Sequence, residues 1–142
     1  YDKLAQKSGD LDHGKTIFGQ TCATCHTVAS QGGQIGPVLN GAGAMGTEAL
    51  LRAVLTPNAA MEAGYRTFRV ELKDGDVLDG FLVSQDNEAI VLRQPNAQDR
   101  RIPQDDVRRA RFTKISMMPE GLLDSLPEKD ATDLLAYLKT LK

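Results

Sequence analysis

The residues with the clearest chemistry in the chain stand together between positions 22 and 26. Cys22, Cys25 and His26 form the pattern C-x-x-C-H, which uses both cysteines and one of the two histidines. Two thiols one helical turn apart can add to the two vinyl groups on one edge of a porphyrin. The next residue can then place an imidazole nitrogen on the iron. The spacing therefore predicts one covalently attached haem c.

Four other interpretations of the motif are open at this stage. A thioredoxin-like disulfide also uses C-x-x-C, but that motif follows a strand, whereas here it ends a predicted helix. A structural zinc site needs about four ligands, and His13 is the one further Cys or His in the chain. The last two are a buried thiol pair without a ligand and a chance match. The haem interpretation gives all three side chains a role.

The loop that follows the motif offers a partner for the histidine. A ligating His normally donates its second ring N–H to a carbonyl or carboxylate, which fixes its tautomer and raises its basicity. The Gly36-Pro37 step lies ten residues downstream in "IGPVLNG". We expect the carbonyl group of Pro37 to be this partner. The alternative is that Gly36-Pro37 is simply a turn.

Composition narrows the class of protein. The chain has 142 residues, of which 41% are hydrophobic and 25% charged, as is usual for one globular domain. The net charge of −2 gives no indication of a nucleic-acid or anionic membrane partner. No stretch approaches the roughly 18 apolar residues of a membrane span. We therefore expect protein partners, no nucleic acid and no membrane span in this chain.

The segments around the motif are predicted to be helical. Asp10 can cap a helix that ends in the motif, and Thr47 can cap a second helix, "EALLRAVL", which stops at a Thr-Pro step. Between them, "SQGGQIGPVLNGAGAMG" is too rich in glycine for regular structure. A last helix is predicted from about Pro127 to Leu141.

Residues 65–112 change to the period of a β-strand. In "YRTFRVEL" the residues Phe68, Val70 and Leu72 alternate on one face. The segment "KDGD" supplies a tight turn, and "VLDGFLVS", "AIVLRQ" and a short final run, "RRIPQDDV", are further strand-like segments. We predict a small antiparallel sheet or half-barrel here.

Several segments together resemble a known family. They are "GKTIFGQTCATCH", "GGQIGPVLNG", "ALLRAVLTPNA", "GYRTFRVELKDGDVLDG" and "SMMPEGLLDSL". The chain resembles the haem-binding c-type cytochrome domain common in planctomycetes and verrucomicrobia, which is often fused to large secreted dehydrogenase-like proteins. One departure is Pro127, which stands where the family usually has a capping Ser or Thr.

The resemblance implies a mainly α, class I cytochrome c fold that spans residues 1–142 as one domain. Residues 65–112 would be a small antiparallel β insert between the middle helix and the distal methionine loop. In class I cytochromes the first and last helices cross at a small residue. Gly14 and Phe18 against Tyr137 would be that contact here.

The resemblance also selects a sixth ligand for the iron. Met118 aligns with the retained methionine of the "MP" step, while Met117 stands where Leu is usual and is expected to pack. Met45 and Met61 are expected to fill apolar space, and His13 to be an exposed helix residue. An open, five-coordinate iron is the remaining alternative.

The strand segment suggests two further roles. Tyr65 and Arg66 at its entrance could donate hydrogen bonds to a haem propionate. An arginine-rich run could dock a partner, although such a run is more often a solvated face. Its basic residues are Arg100, Arg101, Arg108, Arg109 and Arg111, with Asp105 and Asp106 among them.

These features together favour an electron-transfer domain rather than an enzyme. Iron with two protein ligands has no open position for substrate, and a Met/His pair raises its potential. The expected partner is a dehydrogenase, fused or separate, with a downstream acceptor. Since c-type attachment occurs outside the cytoplasm in such bacteria, a periplasmic or otherwise extracytoplasmic location follows. The alternatives are a haem enzyme or gas sensor with an open or labile sixth position, and a mainly structural haem module.

Overall fold

A computed structural model describes residues 1–59, 63–95 and 98–142. The chain forms two compact units: Tyr1–Ala60 with Met118–Lys142, and Met61–Met117. The first, the helical unit, contains the C-x-x-C-H motif. The second, the sheet unit, contains the predicted strands. No helix in the described ranges is long and apolar enough to cross a bilayer.

The described part of the helical unit contains four α-helices, a short hairpin and one 3₁₀ turn at Ala42–Met45. Asp10 caps the motif helix by accepting a hydrogen bond from the backbone N–H of His13 at 3.1 Å, as predicted. The helices and hairpin strands are α1 (Asp2–Ala5), α2 (Leu11–Thr21), β1 (Thr27–Val28), β2 (Gln31–Gly32), α3 (Thr47–Leu55) and α4 (Glu128–Lys139).

Two details of these elements differ from the prediction. Thr47 does not cap α3 but is its first residue, and no side chain caps this helix. Gly46 occupies the cap position with φ of 86°, a conformation that favours glycine, so the turn into the helix uses backbone freedom instead of a hydroxyl. The glycine-rich segment also contains more regular structure than expected, since it includes β2 and the 3₁₀ turn.

The helical unit is built around the crossing of α2 and α4. A Cβ at Gly14 would lie 2.1 Å from the carbonyl oxygen of Asp133 and 2.8 Å from the Cβ of Tyr137, so only glycine allows this approach. The ring centroids of Phe18 and Tyr137 are 5.6 Å apart, which confirms the predicted contact. Each large apolar side chain buried here contributes about 1.5–3 kcal/mol. They include Ile17, Leu50, Leu51, Leu123, Leu134, Leu135 and Leu138.

The sheet unit is a five-stranded antiparallel sheet in the order β6-β5-β4-β3-β7. The first half of β4 pairs with β3 and its second half with β5, and a bulge between Leu82 and Ser84 separates the two halves. Short 3₁₀ turns lie at Ala63–Tyr65 and Gln104–Asp106. The strands are β3 (Arg66–Leu72), β4 (Val77–Gln85), β5 (Ala89–Arg93), β6 (Arg100–Pro103) and β7 (Val107–Ser116).

The sheet unit has its own apolar core. Phe68, Val70 and Leu72 are all buried on one face of β3, which confirms the predicted alternation. They pack with Ile90, Leu92 and Ile102 from β5 and β6. This cluster and the cluster around the α2–α4 crossing share no residue.

The prediction of a mainly α fold is wrong. Among the residues that the structure describes, about 33% are helical and 29% are in strands. The sequence interpretation ended the strands at "RRIPQDDV" and missed β7, which has ten residues and is the longest strand. Four of its ten side chains are basic, and two bulges against β3 shift its register, so its apolar residues do not alternate.

Candidate haem-attachment site

The C-x-x-C-H motif forms a single turn that continues from α2. The backbone N–H groups of Cys25 and His26 both donate to the carbonyl oxygen of Cys22, at 3.1 and 3.0 Å. This turn holds the two cysteines three positions apart on one curve of the chain, with His26 directly after them. Both thiols are free and half-buried.

The loop after the motif is fastened to it by backbone hydrogen bonds. The N–H groups of Ile35 and Gly36 donate to the carbonyl oxygen of Cys25 at 3.1 and 2.7 Å, and that of Gly33 donates to Ala23 at 2.7 Å. Three hydrogen bonds over four residues satisfy the backbone of a segment that has no regular structure. The loop therefore has a fixed position relative to His26.

His26 contacts the carbonyl group that the sequence suggested. Its Nδ1 lies 2.7 Å from the carbonyl oxygen of Pro37. Because a carbonyl oxygen can only accept, Nδ1 must carry the proton and donate, which leaves the lone pair on Nε2. Burial lowers the pKa of His26, while the Pro37 bond acts in the opposite direction. A neutral imidazole with a free Nε2 is the form that ligates a metal.

Three glycines contribute to this site, and the sequence interpretation gave them no specific role. A Cβ at Gly36 would lie 2.5 Å from Cε1 of His26, and one at Gly33 would lie 1.8 Å from the carbonyl oxygen of Thr24. Gly32 has φ of 115°, and a Cβ at this position would lie 2.1 Å from the carbonyl oxygen of His26. The sequence did contain a signal for this role, since three glycines within ten residues of the motif indicate close backbone approach as well as a loop.

The electrostatics of the thiols differ from those of a redox disulfide. Burial, with a smaller contribution from Cys25, raises the pKa of the Cys22 thiol to about 11. Burial also raises the pKa of Cys25. A redox-active C-x-x-C has a lowered thiol pKa. In the part of the chain that the structure describes, no group of three or more Cys, His, Asp or Glu could hold a metal ion, so a zinc site gains no support.

The structure thus brings Cys22, Cys25, His26 and Pro37 together as one site. The remaining predicted residues lie in other segments. Met118 is half-buried in a bend after β7, next to the equally half-buried Met117. Tyr65 stacks on Phe81 with ring centroids 5.7 Å apart. Arg66 is exposed at the start of β3.

The other side chains that could ligate the iron are those of His13, Met45 and Met61. Nδ1 of His13 lies 2.7 Å from Oδ2 of the buried Asp133, so this imidazole is half-buried and engaged in the helix crossing. Met45 is 54% exposed at the end of the 3₁₀ turn. Met61 lies outside the described residues.

Comparison with known families agrees with the site. The family model described as Cytochrome c matches residues 11–92, which is more than half of the chain and includes the C-x-x-C-H turn. The chain therefore belongs to the cytochrome c family. A search of curated proteins finds none that matches it. Met118 and α4 lie beyond the matched residues.

Membership of this family confirms the predicted cofactor, covalently bound haem c with its iron. The protein is a haem-binding electron-transfer protein, and it therefore has redox partners. The residues present fit the group: two free thiols, a histidine with a free Nε2, and no side chain at Gly36 to displace its ring.

Proposed function

We propose that the chain is a monohaem c-type cytochrome whose axial ligands are His26 and Met118. Cys22 and Cys25 attach the haem through thioether bonds. The protein carries electrons between a dehydrogenase, fused or separate, and a downstream acceptor in the periplasm or another extracytoplasmic compartment. One observation carries the proposal: within the C-x-x-C-H turn, His26 donates from Nδ1 to Pro37 at 2.7 Å and so keeps Nε2 for the iron.

The chain positions and tunes the histidine in two ways. The Pro37 carbonyl oxygen fixes the ring and makes it a stronger ligand. Gly36 packs against the ring face, where any side chain would collide with it. When bound, haem c supplies a one-electron couple at its iron. A ligand that cannot rotate lets the oxidation state change with little rearrangement of the protein.

Met118 is proposed as the second ligand from its place in the chain. It stands in an irregular, half-buried segment between β7 and α4, and Pro119 follows it. Both ring nitrogens of His13, the other candidate, face carboxylates, with Nδ1 2.7 Å from Asp133 and Nε2 3.8 Å from Asp130, which supports its exclusion. A thioether ligand favours the ferrous state and raises the potential.

The assignment extends to the whole chain. Residues 1–142 form one cytochrome domain of the type common in planctomycetes and verrucomicrobia, and residues 65–112 are an insert within it. Tyr65 and Arg66 donate hydrogen bonds to a haem propionate. The exposed position of Arg66 at the start of β3 and the 3₁₀ turn that ends at Tyr65 support a role at the entrance of the insert.

Mass spectrometry of the denatured protein tests the attachment. The expected mass is that of the polypeptide plus one haem, and acidified organic solvent should not extract the haem. Cys22→Ala and Cys25→Ala should each keep one thioether, and the double variant should release the haem. Complete extraction from the parent protein would show that neither thiol is bonded.

Two adjacent methionines provide a matched test of the sixth ligand. Met118→Ala should abolish the weak sulfur-to-ferric charge-transfer band, lower the potential and admit carbon monoxide. Met117→Leu should do none of these, because a volume-conserving swap costs under about 1.5 kcal/mol. The reverse pattern would assign the iron to Met117. Fast, tight carbon monoxide binding by the parent protein would favour a gas sensor or haem enzyme over electron transfer.

A further inference from the structure

One edge of the sheet unit is long and has no strand beside it. β7 is the last strand in the order β6-β5-β4-β3-β7, so among the described residues it pairs with β3 alone. From Arg109 to Phe112 its register with β3 is continuous and free of bulges. Alternate residues of an edge strand direct their N–H and C=O groups outward. Residues 109–112, between the two bulges of β7, therefore form a regular edge that can pair with another strand.

The opposite edge is built differently. β6 has only four residues and ends in Pro103, which cannot donate a ladder hydrogen bond. A short edge that contains proline is protected against strand addition. β7 is ten residues long and contains no proline. Of the two edges, β7 is the one suited to accept a strand.

The side chains of β7 define the charge of its partner. The strand contains Arg108, Arg109, Arg111 and Lys114 and no acidic residue. Arg108 and Arg111 share one carboxylate, Glu71, at 3.5 and 3.9 Å. Arg109 and Lys114 have no ion pair with any residue that the structure describes. The edge therefore has an excess of positive charge.

One face of β7 is apolar at Ala110 and Phe112. Phe112 is 45% exposed although its ring packs edge-on against the buried Phe68, with centroids 4.9 Å apart. Because side chains alternate along a strand, Arg109 and Arg111 lie on one face and Ala110 and Phe112 on the other. A strand placed beside β7 would meet arginines on one face and an aromatic ring on the other.

We propose that β7 binds an extended acidic segment of a partner protein as an additional antiparallel strand. Carboxylates at alternate positions of that segment lie across from Arg109 and Arg111. Apolar residues between them cover Phe112. Main-chain hydrogen bonds to residues 109–112 supply affinity, and the alternating side chains supply specificity.

A second copy of this chain fits the edge poorly. Antiparallel pairing of β7 with β7 in the register centred on Ala110 would place Arg109 opposite Arg111. Pairing of β7 with β6 would place them opposite Arg100 and Arg101. Like charges directly opposite each other are destabilising in a sheet. Both self-pairings are thus disfavoured, whereas an acidic strand meets complementary charge.

The experiment uses the full-length haem-loaded chain and a fluorescent peptide, Glu-Val-Glu-Thr-Glu-Val-Glu-Thr, followed by anisotropy. Two double variants are matched, since each removes two adjacent arginines and one long ion pair, of 3.5 Å in β7 and 4.0 Å in β6. Arg108→Gln with Arg109→Gln acts on β7, and Arg100→Gln with Arg101→Gln acts on β6. The β7 variant should weaken binding by at least about tenfold, and the β6 variant by less than about twofold.

Two control peptides separate strand addition from simple charge attraction. A scrambled peptide with the four glutamates contiguous, and a peptide N-methylated at alternate residues, should each bind at least about tenfold more weakly. Amide resonances of residues 109–112 should shift only with the parent peptide. Equal loss in both double variants, or equal binding of either control peptide, would overturn the proposal. So would tighter binding of an oligothymidylate, or dimerisation through β7 without peptide.

Discussion

At the scale of single residues, the haem site depends on the absence of a side chain as much as on the groups that react. His26 is oriented by a carbonyl oxygen on one side and by the bare backbone of Gly36 on the other. The motif and the Pro37 partner could be predicted because they are contiguous in sequence and their chemistry requires particular residue types. The role of Gly36 could not, because it depends on how closely the loop approaches the ring.

Gly36→Ala should destabilise the protein by about 1–3 kcal/mol, because its Cβ would lie 2.5 Å from His26 Cε1 and the ring or loop must move. The matched control is Gly19→Ala in α2, where a Cβ meets nothing within 4 Å. There alanine should stabilise by about 0.5–1 kcal/mol. Urea unfolding of the haem-loaded variants measures both. If the Gly36 variant is as stable as the parent, the loop is adaptable and does not position His26.

At the scale of elements, periodicity identified α2, α3, α4 and the first strands, and the predicted side-chain cap was right for α2. Of the elements that were not predicted, β7 and the β1–β2 hairpin were missed for different physical reasons. β7 carries charge instead of apolar alternation because it lies at a sheet edge. The β1–β2 hairpin was missed because its turn is Ala29-Ser30, where Asn-Gly is the usual signal. Both turn residues have positive φ, 50° and 64°, which is costly for residues other than glycine.

Substitutions at Ala29 and Ser30 should therefore relieve the strain of the hairpin turn. Ala29→Asn with Ser30→Gly should stabilise the protein by about 0.5–2 kcal/mol, because these residues adopt positive φ with less strain. The hydrogen bond from the backbone N–H of Ala29 to Asn40 Oδ1, 3.0 Å long, does not depend on the side chain at position 29. Ser30→Val, a β-branched residue at the same φ, should destabilise. Thermal unfolding of the parent and the two variants gives the order of their Tm values. An unchanged or lower Tm in the Asn-Gly variant would show that the turn is not strained.

The crossing of α2 and α4 contains a buried carboxylate that should make stability depend on pH. Asp133 is 3% exposed and accepts from the backbone N–H of Asp10 at 2.8 Å, from His13 and from Lys129. Hydrogen bonds from Lys129 first, then His13 and Asp10, hold the pKa of Asp133 far below its usual range. A depressed carboxyl pKa stabilises the fold at pH values above the unfolded pKa of about 3.9, and this contribution is lost as pH falls.

Asp133→Asn should thus lower the free energy of unfolding most at neutral pH. The difference in the free energy of unfolding between variant and parent should narrow below about pH 4, where the parent loses the stabilisation that the charged Asp133 provides. Urea unfolding of both proteins between pH 3 and 7 measures this, and protonation of released haem ligands cancels in the comparison. Glu48→Gln, at a carboxylate 89% exposed, should change little at any pH. A gap between parent and Asn variant that is independent of pH would contradict the role of this charge.

At the scale of the whole molecule, the chain combines two units with separate apolar cores. The sequence identified the cofactor because its attachment motif is local. The sequence interpretation underestimated the size of the sheet unit because it assumed a class I layout with a small insert. The structure instead shows a five-stranded unit that makes strand nearly as abundant as helix. Each unit has a cluster of buried apolar side chains of its own around which it can fold.

Replacement of Met61–Met117 by a Gly/Ser linker of about eight residues should therefore preserve the haem site. The sheet unit contributes no Cys or His, and the methionines at its two ends are not the proposed ligands. The visible spectrum and the sulfur-to-ferric band of the deletion variant should match those of the parent. Expressed alone, the sheet unit should fold, since many domains of about 55–65 residues fold independently.

A point variant keeps this prediction testable if the linker itself causes misfolding. Val70 is fully buried in the sheet core, and Val70→Asp places an unpaired charge there, which should unfold the sheet unit selectively. Circular dichroism should then lose its strand component while the haem spectrum stays that of the parent. A matched change in the helical core, Leu135→Asp, should instead abolish the sulfur-to-ferric band. Loss of six-coordinate haem in the Val70 variant, with the helices still folded, would show that the sheet unit maintains the iron site.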